Sequence, residues 1–134
     1  MFTSTVFGLI IWIAITTGWT PIPTPPVVQI EDQLAIEWAG WIRGFYDNKK
    51  VYLMELDDES TLVHELIHHY QCVQGRLNTI EVGKRFTPAE CKIHYNLEQE
   101  AYTIENIYRN ERGLSLYSLF AIHLAYLDCL GLPE

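Results

Sequence analysis

Residues 60 to 71 read STLVHELIHHYQ, and three of the chain's five histidines fall inside this one apolar run. His64 and His68 are four residues apart. On a helix both imidazoles then leave the same face one turn from each other, a spacing at which they can share one metal ion at about 2 Å. Glu65 lies between them, too far round the helix to be a third ligand of the same kind. It is close enough to take a proton from a water that the ion activates. His69 points elsewhere and reads as a supporting or surface residue. The plain alternative is a pair of surface histidines on an amphipathic helix whose core face is Leu62, Val63, Leu66, Ile67 and Tyr70.

A catalytic zinc asks for three protein ligands and one open position. After His68 the chain continues His69-Tyr70-Gln71-Cys72-Val73-Gln74-Gly75, so the HExxHxxGxxH continuation is absent. Cys72 shares the face of the two histidines but lies another turn along, about 5 Å farther. The stretch YNLEQEAYTIEN offers a better source. With it the chain resembles the gluzincin branch of zinc metallopeptidases, in which HExxH on one helix is completed by a glutamate of E-x-x-A on a second. Glu98-Gln99-Glu100-Ala101 matches that pattern, with Glu98 in the ligand position and the small Ala101 allowing close helix approach. Tyr102 departs from it, standing where many such families carry Asp or Asn. The chain is also similar to small bacterial families with HELxHxxQ followed by E-x-E-A-Y.

The resemblance covers about half the chain and is specific at the two motifs. It implies Zn2+ held by His64, His68 and Glu98, Glu65 as general base, and hydrolysis of peptide bonds in a peptide or unfolded protein. Glu100 is an alternative third ligand, since the two carboxylates flank opposite sides of the stripe Leu97, Ala101, Ile104, Tyr108. His94, one turn before Glu98, would make a three-histidine site instead. Candidates by chemistry alone for an oxyanion donor are Tyr70, Tyr95, Tyr102 and His123. Two other functions stay open: an inactive zinc-binding, membrane-tethered interaction module, and a hydrolase of a non-peptide amide.

The elements that must position these residues follow from local signals. Ile30, Leu34, Trp38, Trp41, Ile42 and Phe45 recur at three- and four-residue steps and predict a helix from about 28 to 46, ended by Asp47-Asn48. KKVYLMEL predicts a strand over 50 to 56, whose edge an extended peptide could join. Asp57-Asp58-Glu59-Ser60 opens the histidine helix and Gly75 closes it. Thr87-Pro88-Ala89-Glu90 is a capping box with proline at the first helical position, opening a helix that stops near Gly113. A last helix is predicted from Leu116 to Leu130, with Ser115 before it and Gly131 and Pro133 after. The fold class is α+β, predominantly helical: a minimal zincin-like arrangement of an HExxH helix, a second ligand helix and a small strand or hairpin element.

No charged side chain precedes Glu31, and VFGLIIWIAITTGW at residues 6 to 19 is nearly all apolar. Residues 1–19 therefore read as a signal peptide or short membrane anchor, 20–27 as a proline-rich linker and 28–134 as one domain. This places the domain outside the cytoplasm, secreted, periplasmic or anchored, with membrane association through residues 2–19. Among the three cysteines, Cys72, Cys91 and Cys129, the expected pair is Cys72 with Cys91, which would tie a helix end to a helix start. A net charge of −8 with only nine Lys and Arg lacks the basic footprint that nucleic acid or anionic lipid requires.

Overall fold

The computed structural model describes residues 2–31, 44–55, 58–77 and 86–131. Among them run α1 (Phe2–Thr17), β1 (Val27–Ile30), β2 (Gly44–Asp47), β3 (Lys50–Leu53), α2 (Glu59–Val73), α3 (Pro88–Glu111) and α4 (Phe120–Cys129). This is a small α+β fold, predominantly helical. The chain divides into two compact units, Met1–Thr79 and Ile80–Glu134.

In the first unit, Pro25-Pro26 delivers extended backbone to Val27-Val28-Gln29-Ile30, whose β-branched residues suit a strand. β2 and β3 form a hairpin across Asn48-Lys49, with φ of 45° and 67°. Both values are left-handed, as a two-residue I′ turn requires, and Asn tolerates them far better than Lys. The sheet order is β1-β3-β2, with β1 parallel and β2 antiparallel to the central strand. Val51 and Leu53 point from β3 into the core and are fully buried.

The helix predicted over 28 to 46 is thus not what forms at either end, where β1 and β2 stand; residues 32–43 lie outside the described residues. Local three- and four-residue spacing gave way to strand pairing that only distant partners supply. The strand predicted over 50 to 56 ends at Leu53. It is also the central strand, so both its edges are taken and the sheet's outer edges belong to β1 and β2.

α2 is capped by Asp58, whose Oδ1 accepts from Thr61 N at 3.1 Å and whose Oδ2 accepts from Thr61 Oγ1 at 2.6 Å. It ends where Gly75 takes a φ of +77°. Both α1 and the strands β2 and β3 pack on α2. Every residue from Ser60 to Gln71 is buried as a result.

Val6, Leu9, Ile10 and Ile13 bury one face of α1, and Tyr70 Oη donates to the Ile10 carbonyl at 2.7 Å. Trp19 lies 5.5 Å from the Tyr70 ring, and the Arg76 guanidinium sits over Trp19. The proline-rich stretch lies against this unit as well: Pro23 is buried, and the Thr24 carbonyl is a hydrogen-bond acceptor for His69. No described helix is long and apolar enough to cross a membrane.

In the second unit, both halves of the capping box form: Glu90 N donates to Thr87 Oγ1 at 3.2 Å and Thr87 N to Glu90 Oε1 at 3.0 Å. α3 closes before Gly113, whose φ is +71°, and Leu114 N returns to the Arg109 carbonyl at 2.8 Å. α4 packs back along α3. It starts at Phe120 rather than Leu116, because Asn106 holds the Tyr117 backbone on both sides, Nδ2 to the carbonyl at 3.0 Å and Oδ1 from the amide at 2.8 Å. Those two bonds hold Tyr117 in the connection between α3 and α4.

The disulfide joins Cys91 to Cys129, with Cα atoms 5.9 Å apart, and Cys72 is a free thiol. The expected Cys72–Cys91 pair is therefore overturned. Reversal of the chain between α3 and α4 brings the first turn of one beside the last turn of the other, which is the geometry a disulfide needs.

Candidate metal centre

His64, Glu65 and His68 are all buried on α2, and their ligand-capable atoms lie within 4.8 Å of one another. Among the described residues this is the only group of three or more His, Cys, Asp or Glu side chains so arranged. The two imidazole rings have centroids 4.8 Å apart and stand nearly perpendicular, at 83°. Helical i, i+4 spacing accounts for their shared face, and the packing around α2 for their burial, with the three residues 7%, 5% and 7% exposed.

Gln71 decides how His68 is presented. Its Oε1 lies 2.7 Å from His68 Nδ1, and an amide oxygen can only accept, so Nδ1 carries the proton. The lone pair of a neutral ring then belongs to Nε2, the atom directed away from Gln71. Metal-ligating histidines are characteristically held in this way through their other nitrogen. Gln71 is itself fully buried, so water does not compete for this bond. The donor set, two imidazoles with a carboxylate alongside and one ring's tautomer already fixed, fits a divalent ion of the zinc class.

His69 is buried and has both ring nitrogens engaged. Nε2 donates to the Thr24 carbonyl at 2.7 Å, leaving Nδ1 to accept from Tyr46 Oη at 2.8 Å, and Tyr46 Oη accepts from Lys49 N at 3.0 Å. His69 is thus a supporting residue that ties α2 to the hairpin and to the segment before β1. Burial lowers its pKa below the ordinary 6.5, and burial together with the Cys72 thiol pushes Tyr46 upward.

Of the suggested oxyanion donors, Tyr70 is spent on the Ile10 carbonyl. Tyr95 stacks on Tyr126, with Lys92 over both rings. Tyr102 meets Tyr117 edge-on, and His123 is exposed beside Phe120. Glu98, Glu100 and His94 are half-buried residues of α3 in the second unit, and the His64–Glu65–His68 cluster is formed within α2 alone.

The buried residues of α3 are Cys91, Leu97, Ala101, Ile104, Glu105 and Tyr108. At about 100° per residue, Cys91 and Glu105 extend the buried arc on one side, so that it takes in Glu98 and His94 and leaves Glu100 outside. Reading the sequence missed Gln71, Tyr46 and Glu105. For Gln71 the available signal was its place three residues after His68; for Glu105, its place seven after Glu98.

No protein-family model, curated protein or solved structure matches the chain.

Proposed function

We propose that this protein is a zinc-dependent, gluzincin-type peptidase that hydrolyses peptide bonds in flexible or unfolded chains. The observation that carries the reading is the buried His64–Glu65–His68 cluster, with His68 Nδ1 tied to Gln71. His64 and His68 hold the ion, and the E-x-x-A resemblance offers Glu98 as the third ligand, with Glu100 as its alternative. When bound, zinc supplies Lewis acidity that brings the pKa of water toward neutrality and polarises a carbonyl. Glu65 carries the proton, accepting it from the attacking water and returning it to the leaving amine. Its near-complete burial strengthens that role, because charge interactions are stronger where water is excluded. The Cys91–Cys129 disulfide supports an oxidising, extracytoplasmic location.

The depth of the cluster favours a second reading. With more than nine-tenths of each residue covered, a small non-peptide amide needs less room than a polypeptide chain does, and a zinc module without turnover fits equally well.

The test uses the purified full chain, assayed for bound metal and for cleavage of an unfolded protein and of small amides. Glu65→Gln is expected to keep zinc and lose hydrolysis, and Glu98→Gln to lose both. Wild-type protein without stoichiometric metal would remove the proposal. Stoichiometric zinc with no hydrolysis dependent on Glu65 would leave the binding module.

A further inference from the structure

The close approach of β2 to α2 has a chemical side. An ideal Cβ built on Gly44 would lie 2.6 Å from Thr61 Cγ2, 3.2 Å from Glu65 Cγ and 3.2 Å from Leu53 Cδ2. Thr61 and Glu65 are one turn apart on α2, and Leu53 is the residue opposite Gly44 in the hairpin register. Position 44 is therefore closed on both sides, by the metal helix and by the neighbouring strand. The φ of Gly44 is not what demands glycine, since it falls outside the left-handed region. The demand is space, set by how near the strand backbone comes to the helix.

Two of those contacts differ in kind. Thr61 Cγ2 ends a short, stiff β-branched side chain whose Oγ1 is already bonded to Asp58 Oδ2, so it cannot turn away cheaply. Glu65 Cγ is the middle of a longer side chain, and moving it redirects the carboxylate that the chain places beside His64 and His68.

We propose that Gly44 is a positioning residue for Glu65: the missing side chain lets β2 lie on the stem of Glu65 and sets where its carboxylate stands relative to the two histidines. This rests on the reading of Glu65 as general base. Bulk at residue 44 acts on proton transfer through Glu65 and leaves the ligands alone.

The test places Gly44→Ala in a Thr61→Ser background, which removes Cγ2 and its clash while keeping the hydroxyl that donates to the capping Asp58. Thr61→Ser, Thr61→Ser/Gly44→Ala and both of these with Glu65→Gln are compared as the full chain, loaded with zinc for hydrolysis and with cobalt(II) for absorbance. Gly44→Ala is expected to leave metal affinity and KM within about threefold. It lowers kcat about tenfold, in line with the cost of a misplacement of under 1 Å. It also shifts the pH midpoint of the cobalt band in the direction that Glu65→Gln shifts it. The cobalt shift does not recur when Glu65 is already glutamine, because the two changes act through one group.

An equal cobalt shift in the Glu65→Gln background would overturn the proposal, as would unchanged kcat and cobalt titration, or failure of the Thr61→Ser/Gly44→Ala chain to fold. If the wild type binds cobalt but cleaves nothing, the peptidase reading falls while the cobalt titration still decides the role of Gly44. If it binds no cobalt, both fall.

Discussion

At His68 one hydrogen bond determines what the ring can do. Gln71 Oε1 holds Nδ1–H at 2.7 Å, so Gln71→Ala frees the ring to rotate and exchange tautomers, at no cost to the ligand atoms themselves. The expected outcome is a zinc affinity lower by about 10- to 100-fold, read by competition with a chromophoric chelator. His69, next along the helix, behaves differently because its ring must stay neutral to accept from Tyr46. Burial depresses its pKa, so between that folded value and about 6.5 the unfolded chain binds more protons than the folded one. The stability that this depression contributes is present above pH 6.5 and lost as pH falls through the folded pKa. Denaturant titrations of metal-free protein between pH 8 and 5 are expected to show that loss, and His69→Gln to flatten it. The HExxH spacing was legible because helical geometry alone gives each residue its direction. Gln71 and Glu105 were not, because polar residues on helices are ordinarily solvated and only packing shows that these two are buried.

Elements whose signals are local were read correctly: Asp58 and Gly75 bound α2, Thr87 and Glu90 open α3, and Gly113 ends it. The errors fell where a distant partner decides. β1 and β2 exist because β3 pairs with both, and α4 is delayed because Asn106, eleven residues before Tyr117 in sequence, holds that residue's backbone. The hairpin turn shows the strain such pairing can impose. Lys49 is held at a φ of 67° with a Cβ, where an I′ turn prefers glycine. Lys49→Gly keeps the backbone amide that Tyr46 Oη uses and is expected to raise the unfolding free energy by about 1 kcal/mol. The midpoint and slope of urea denaturation measure it; an unchanged or lower midpoint would show that the Lys49 side chain contributes more than its backbone costs.

At the scale of the molecule, local element signals were enough for the class, a small helical α+β protein, and too little for the connections. Cysteine pairing is a matter of which helix ends meet, and spacing placed Cys72 with Cys91 where chain reversal joins Cys91 to Cys129. The apolar N-terminal segment forms α1, which packs on α2 with Val6, Leu9, Ile10 and Ile13 buried, and Pro23 and Thr24 after it contact the same unit. Enclosure of α2 follows from that arrangement, and it has a consequence in time. Twelve successive residues, Ser60 to Gln71, are buried, and His64 and His68 sit in the middle of them. Fraying of α2 from either end exposes His64 and His68 late, so their amides should exchange with deuterium only at the rate at which the whole first unit opens. Hydrogen-exchange mass spectrometry of the metal-free chain is expected to find the peptide spanning residues 60–71 among the slowest. A metal ion seated there would be held by the persistence of the fold as well as by its bonds, leaving over hours where an exposed site of equal affinity would empty in minutes.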